Sequence, residues 1–430
     1  MKKGKEIAVD FIFAVVGIAV MTGMVNMVVM PYIERTLGSE VQGNVLFFSA
    51  LGSLLAGGFG SAANYGRLKI YSEEGKTTNG DFNIFLVSTF VLAALLTLAA
   101  IFLKGETAGA SYFGILILMC SMVLRFYMDA EYRMNLQYKR VFFAFLTVAV
   151  GYVIGILIYP LTHSWVMILL TGEVLGLLFV FIFSSIFRPP FFERSARFKE
   201  HLKILYGLAG AYFLSDFVGL SDRLLFPILL SNGDKLNSLY YYASACGKLM
   251  SLVSGPLNGV LMGHLSNFEK RPDRRSFLKV VGITLLAFLG CTLISYIASH
   301  IFVLWLYPSY YEEVKPLMLL ANAGQVLFFI CNTLMVVVLR YTASKNQMIT
   351  SAVYVVTFFA VTIPLVLNFG LYGMAWGILI SNTVKFIMFA LLGTFGVAKP
   401  AKRFLRKGRR KDTGHTTGAG IAASHGGYRP

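Results

Sequence analysis

Charge is scarce in this chain. Asp, Glu, Lys and Arg make up 14% of it, against 57% hydrophobic residues. A soluble domain is roughly a quarter charged, so that class is excluded, and a mean hydropathy of +0.69 points to a polytopic membrane protein. Cysteine is scarcer still. Cys120, Cys246, Cys291 and Cys331 all fall inside apolar runs without paired spacing; they read as small core residues and indicate neither a disulfide framework nor a metal site. Long polar connections are missing too. The longest one facing away from the termini, about 300–315, is too short for a catalytic domain, which argues against an enzyme. No cleavable leader is expected, because the apolar run from Ile7 to Met30 is too long for one and reads as a retained first span.

What the chain does have is apolar runs of spanning length. At about 20 residues per helical span, we place twelve, at 7–30, 43–66, 82–103, 110–128, 141–160, 164–187, 202–230, 238–262, 277–299, 316–339, 347–367 and 371–397. The expected fold is an all-α polytopic bundle. A net charge of +17 would point to nucleic acid if it were spread over a surface, but it is not. Of 38 Lys and Arg, 31 fall at the N-terminus, in even-numbered connections and in the tail. Arg35, Lys104, Lys235 and Lys315 lie in the opposite connections, and Arg223, Lys248 and Lys385 lie inside spans. This positive-inside pattern puts both termini in the cytoplasm. Nucleic-acid binding is not expected.

The basic, amphipathic stretch from Arg188 to Lys203 divides the spans into two groups of six. We therefore expect an N-terminal lobe over 1–200, including this connector along the membrane surface, and a C-terminal lobe over 201–397. The tail, 398–430, opens with a polybasic run suited to anionic lipid head groups and ends in a Gly/Ala/Thr-rich segment expected to be partly disordered. The halves read as a repeat. Ser49-Ala50-Leu51-Gly52-Ser53-Leu54 with Gly60 and Ser244-Ala245-Cys246-Gly247-Lys248-Leu249 with Gly255 are 195 residues apart at every position. The spacing of six spans keeps the direction of the chain, which implies parallel repeats about an axis along the membrane normal.

The informative residues are the charges inside the spans. Each costs roughly 2.5–3.5 kcal/mol at the bilayer centre, so it persists by facing water, a partner charge or a substrate. At about 100° per residue, Ser215, Asp216, Gly219, Asp222 and Arg223 share one face of the seventh span. Tyr241, Ser244, Lys248, Ser251, Gly255 and Asn258 share one of the eighth. Ser49, Ser53, Gly60, Asn64 and Arg67 align in the second span, Asn322, Gln325 and Asn332 in the tenth, and Ser381, Asn382 and Lys385 in the twelfth. The first span offers Thr22 and Asn26, the sixth a single acid, Glu173. Small polar stripes also serve helix packing in membranes. Arg223 can pair with Asp222 or Asp216 or reach the outer surface, whereas Lys248 has no acid within a turn of its own helix. Pro227 and Pro256 interrupt their spans, as is tolerated where helices line a cavity. With the acids paired, the cavity is net cationic and ringed by Ser, Asn, Gln and Tyr, which suits an anionic, partly sugar-like ligand.

Several segments resemble the polysaccharide flippase family of the multidrug/oligosaccharidyl-lipid/polysaccharide exporter superfamily. Pro31-Tyr32-Ile33-Glu34-Arg35-Thr36-Leu37-Gly38 with Gly43 resembles that family's Pro-Tyr-x-x-Arg-x-Leu-Gly-x-x-x-x-Gly signature. Ser221-Asp222-Arg223-Leu224-Leu225 is similar to its Asp-Arg pattern, and Leu239-Tyr240 to Ala243 to its Tyr-x-x-Ala segment. Asn368-Phe369-Gly370-Leu371-Tyr372-Gly373-Met374-Ala375 is similar to its hairpin into the last span. The chain departs from the family at Gly263-His264-Leu265-Ser266, where Pro often precedes Leu-Ser. It departs from the lipid II flippases in lacking an arginine in the first span and two further spans.

The resemblance implies a V-shaped bundle of two six-helix lobes in the bacterial cytoplasmic membrane. It also implies alternating-access translocation of undecaprenyl-pyrophosphate-linked oligosaccharide, a precursor of surface polysaccharide or a teichoic acid-type polymer, with glycan polymerase machinery as a partner. On that reading Lys248, Arg223 and Lys385 neutralise the pyrophosphate, while Ser244, Asn322, Gln325, Asn26 and Ser53 line the sugar path. Asp216, Asp222 and Glu173 are candidates for coupling to a proton or sodium gradient, with pairing to Arg223 the simpler use of Asp222. No cofactor is expected. An ion-coupled drug exporter of the same superfamily is the alternative, expected to carry acidic rather than basic charge in its cavity; a glycan polymerase would need larger loops. The topology is testable by fusion: alkaline phosphatase inserted after Lys104 is expected to be active and a C-terminal green fluorescent protein to fluoresce. The reverse pattern would overturn the orientation.

Overall fold

The structure, a computed structural model, describes residues 2–105, 107, 109–189, 191–250, 274–341 and 344–396. Among them every regular element is helical. α1 (Lys2–Met24) runs through a π-helical turn, Val25–Val29, into α2 (Met30–Leu37). α3 (Ser39–Leu55) runs through a second π-turn, Ala56–Gly60, into α4 (Ser61–Glu74). There follow α5 (Asn79–Lys104), α6 (Tyr112–Tyr127), the short α7 (Ala130–Met134), α8 (Tyr138–Thr162) and α9 (Trp165–Phe183). The second half holds α10 (Phe198–Leu229), α11 (Gly233–Leu249), α12 (Arg274–Leu306), α13 (Tyr311–Tyr341) and α14 (Ser344–Gly396). Among the described residues, nine helical stretches are long and apolar enough to cross a membrane, or ten with the bent α10.

The 53-residue α14 comprises two of the expected spans. Gly370 breaks it with φ +52 and ψ −121, a backbone that glycine adopts without steric cost. The chain then doubles back so closely that a Cβ on Gly373 would lie 1.9 Å from the Leu365 carbonyl oxygen. This is the hairpin anticipated between 347–367 and 371–397. The expected span at 238–262 is described only as far as the end of α11 and residue 250. Ser251, Gly255, Pro256, Asn258, His264 and the 398–430 tail lie outside the described residues.

One expectation is corrected. Pro227 does not interrupt its span: α10 continues through it to Leu229 and bends instead by 48° between Leu214 and Asp216. Proline lacks the N–H that would bond the carbonyl of residue 223, and Asn237 of α11 supplies the missing donor, its Nδ2 lying 3.1 Å from the Arg223 carbonyl. The same amide reaches the Gly43 carbonyl of α3 at 3.0 Å. The 188–203 connector packs back on the first half. It is non-helical up to Arg197 and is stitched to the start of α5: Asn79 donates to the carbonyls of Ser185 and Arg188, and Asn83 to that of Phe191. Asp81 accepts from the Ser195 amide at 2.9 Å and meets His201 Nδ1 at 2.7 Å. Glu74, whose carboxyl His201 draws below its ordinary range by hydrogen bonding, closes the cluster and pairs with Arg197.

The internal repeat is expressed in the packing. Gly52 of α3 lies against α6, where a Cβ would meet the Met122 sulfur at 2.3 Å. Gly247 of α11, its counterpart, lies against α13, where a Cβ would meet Asn322 Oδ1 at 2.9 Å. Each glycine thus opens room for the fourth span of its own half. α3 and α11 also pack against each other, most tightly at Gly43, where a Cβ would fall 1.8 Å from the Asp234 carbonyl oxygen. Gly43→Ala is therefore expected to force these helices apart and cost about 1–3 kcal/mol, read as a lower melting temperature in detergent. An unchanged melting temperature would show that the contact is slack.

Candidate functional site

Where the halves meet, side chains of α1, α3, α6, α8, α9, α10, α11 and α13 surround a cavity of about 570 Å³. At the end of the bundle bearing residues 38, 104 and 232, the halves are held together. Tyr242 of α11 stacks on Tyr307 with ring centroids 4.1 Å apart, and its hydroxyl donates to Gln42 of α3. Gln42 Nε2 donates to the Met30 carbonyl at 3.1 Å and lies 3.3 Å from the Tyr307 hydroxyl. Ser238 donates to the Ser39 carbonyl at 2.6 Å, and Lys104 pairs with Asp234 at 2.6 Å. Tyr241 reaches from this closure toward the cavity, its hydroxyl donating to Asn26 Oδ1 at 2.9 Å.

The charged residues separate into bound and free groups. Lys248 lines the cavity, with Nζ 2.6 Å from the carboxylate of Asp222 on α10. Gln325 Nε2 of α13 approaches the same carboxylate at 3.3 Å. Asp222 is thus the partner of Lys248 and not, as the sequence led us to expect, of Arg223. Adjacent positions on a helix point about 100° apart, so Arg223 turns the other way. Its guanidinium lies 5.3 Å from the Tyr241 ring centroid, Nε has no hydrogen bond, and no carboxylate among the described residues lies within ion-pairing distance. Asp216 also lines the cavity without an ion-pair partner among the described residues, its Oδ2 only 2.0 Å from where a Cβ on Gly57 would stand. Glu173 lines the opposite wall, bound to Arg125 Nε at 2.6 Å and to the Tyr152 hydroxyl at 2.9 Å.

Asn26, Ser53 and Gln325 do line the cavity as expected, together with Thr22, Ser49 and Asn332. Three other candidates do not. Ser244 is 1% exposed and donates to the Tyr240 carbonyl of its own helix at 2.7 Å. Asn322 is fully buried; it accepts from the Gly247 amide at 2.6 Å and donates to the Ala243 carbonyl at 2.8 Å. Those are the two groups an α-helix ordinarily pairs with each other, so Asn322 clamps the α11 backbone and has no donor left for a ligand. Lys385 sits behind the wall, with Nζ 2.9 Å from Asn332 Oδ1 and between the rings of Phe328 and Tyr354, at 4.7 and 4.5 Å. Ser244 and Asn322 are engaged by backbone groups and Lys385 by Asn332 and two rings.

Arg125 was missed. Its place near the end of the fourth span made it look like one more cytoplasmic basic residue, yet its side chain is 9% exposed and faces the cavity. Two signals were present in the sequence. It repeats at helical spacing with Ser121 and Asp129, both buried, and it lies three residues after Met122 as Gln325 lies three after Asn322. Its presence also changes the charge balance. Among the described residues around the cavity, Arg125, Arg223 and Lys248 are matched by Glu173, Asp222 and Asp216, so the expected net-cationic lining is there corrected to a balanced one, with one cation and one acid lacking an ion-pair partner among those residues.

The Lys248–Asp222 pair is buried, so removing one partner strands the other. Lys248→Met or Asp222→Leu alone is expected to cost about 3–5 kcal/mol, and the double substitution markedly less than the sum of the two. Thermal unfolding of the three variants in nanodiscs checks this; additive losses would show that the pair does not couple.

No family model matches the sequence, and no curated protein matches it. Solved structures match the fold. One is an inward-facing multidrug resistance MATE family transporter of the MOP superfamily, with TM-score 0.62 and 14% identity over 89% of this chain and 98% of that one. Another is a MOP superfamily transporter from Pyrococcus furiosus described as having a binding pocket of reverse polarity, with TM-score 0.60 and 15% identity over 91% and 95%. A third is the lipid II flippase MurJ in an inward closed conformation, with TM-score 0.60 and 14% identity over 90% and 86%. The chain has the fold these transporters and this flippase share.

Proposed function

We propose that the protein is a flippase that carries a polyprenyl-diphosphate-linked oligosaccharide across the bacterial cytoplasmic membrane by alternating access. The observation behind this reading is Arg223, a guanidinium facing the cavity with no carboxylate partner among the described residues. An unpaired cation in a membrane interior is costly, and a phosphate group offsets that cost through charge-assisted, bidentate hydrogen bonds. Lys248 supports Arg223 while remaining tied to Asp222, and Lys385 acts from behind Asn332. Asn26, Ser49, Ser53, Gln325 and Asn332 supply donors and acceptors for sugar hydroxyls. The polyprenyl chain stays in lipid.

On this reading residues 1–200 and 201–397 are the two lobes that rock about the cavity, and the 398–430 tail rests on anionic lipid. With the termini in the cytoplasm, the Tyr242–Tyr307 closure is the outer gate. Asp216, lining the cavity without an ion-pair partner among the described residues, is the better placed of the three acids for coupling to a proton or sodium gradient, since Asp222 and Glu173 are held in ion pairs. No cofactor takes part, and glycan polymerase machinery receives the product.

A specific observation favours a second reading, an ion-coupled multidrug exporter. The same unpaired Asp216 shares the cavity with Met21, Met122, Phe126, Phe328 and Phe329, a lining that suits a flat apolar cation. Depletion of the protein in its host, followed by leaflet assignment of lipid-linked glycans, separates the two. The flippase reading expects glycan lipid to accumulate on the cytoplasmic side, with rescue by wild type and at least tenfold weaker rescue by Arg223→Gln, the loss of one charged contact. Unchanged glycan lipids with heightened sensitivity to cationic dyes would move the assignment to drug export.

A further inference from the structure

Arg125 and Arg223 approach one cavity from opposite halves of the chain, and neither guanidinium is fully engaged. Arg125 gives Nε to Glu173 at 2.6 Å and Nη1 to the Met21 sulfur at 3.6 Å, a weak acceptor. Its plane lies 4.8 Å from the Phe126 ring centroid, and its remaining donors have no partner among the described residues. Arg223 rests on Tyr241, with Nε unbonded. Glu173 holds a second contact, the Tyr152 hydroxyl at 2.9 Å, and so keeps a hydrogen bond even without Arg125. A buried ion pair with spare donors on one side and a second anchor for the acid on the other can exchange one anion for another.

We infer that Arg125 is the second phosphate-binding guanidinium of the site, contributed by the N-terminal half, and that Glu173 is the stand-in anion that an incoming diphosphate displaces. The inference rests on the diphosphate reading proposed above. It adds a division of labour: Arg223, without an ion-pair partner among the described residues, is open to one phosphate, and Arg125 is kept neutralised until the other arrives. A ligand with two linked phosphates engages an arginine from each half, whereas a monophosphate engages one. Glu173 thereby sets selectivity, since it competes with every anion at Arg125 and yields most readily to one already held at Arg223. The competition also keeps the empty cavity balanced, so the site does not carry two bare guanidinium charges in lipid.

Binding of farnesyl diphosphate to the purified protein in nanodiscs, measured by calorimetry beside farnesol and farnesyl monophosphate, tests this. Glu173→Gln is expected to bind the diphosphate about tenfold more tightly, because the competing charge is gone while the Tyr152 contact can persist. The double variant Arg125→Gln/Glu173→Gln replaces the ion pair with a near-isosteric neutral one, which protects folding. It is expected to bind the diphosphate about ten- to hundredfold more weakly than wild type and to lose its preference over the monophosphate. If Arg223→Gln weakens binding while the double variant binds like wild type, Arg125 and Glu173 are only a brace between helices and the inference is overturned alone. If Glu173→Gln weakens diphosphate binding, the exchange is wrong. If wild type binds the diphosphate no better than farnesol, the diphosphate reading falls, and this inference with it.

Discussion

The contact between Lys248 and Asp222 governs the arrangement of charge in this protein. It joins α10 to α11 at 2.6 Å, and Gln325 of α13 reaches the same carboxylate. Charges buried in a membrane-spanning bundle need partners, and the acid that satisfies Lys248 is withdrawn from Arg223, the next residue along. One ion pair therefore fixes two outcomes. Lys248 is held in place, and Arg223 is left facing the cavity against the Tyr241 ring, without an ion-pair partner among the described residues. The opposite wall repeats the theme with different wiring, Arg125 against Glu173, so the cavity pairs most of its charge internally and exposes little of it.

A second constraint, the satisfaction of backbone groups, explains why several polar residues are unavailable to a ligand. In lipid each orphaned carbonyl or amide is costly, so polar side chains are recruited to close gaps in the helical ladder. Asn237 donates to the Arg223 carbonyl that Pro227 leaves without a donor. Asn322 reaches the Gly247 amide and the Ala243 carbonyl, steadying α11 in the turn that carries Lys248. These asparagines keep the charged groups in position, and neither lines the cavity.

The closure at one end has the same economy. Gln42, Tyr242 and Tyr307 join α3, α11 and the turn after α12 through hydrogen bonds laid over stacked rings. Rings and amides of this kind can separate and rejoin without stranding a charge. The Lys248–Asp222 pair deeper in the bundle cannot. Stacked rings and amides thus lie where the halves meet, beside the Lys104–Asp234 pair, while the Lys248–Asp222 pair joins helices of the second half.

Local sequence pattern was enough for the helical character, the positions of the spans that the described residues cover, the hairpin at Gly370 and the likeness of the segments around Gly52 and Gly247. Each of these is local: hydropathy, turn chemistry and helical period act within a few residues, and the repeat is a comparison of two short segments. It also marked Arg223, Lys248, Asp216, Asp222 and Glu173 as the charges to explain. What only the tertiary structure decided is who partners whom. From sequence, Asp222 is nearest Arg223, Ser244 and Asn322 lie on polar faces, and Arg125 belongs to a cytoplasmic edge. In the folded chain Asp222 belongs to Lys248, Ser244 and Asn322 belong to the backbone, and Arg125 belongs to Glu173 across two helices. Helical period gives the direction in which a side chain leaves its own helix, but it carries no information on which other helix stands there. Ion pairing falls off within a few ångströms, so that missing distance is what separates a bound charge from a free one.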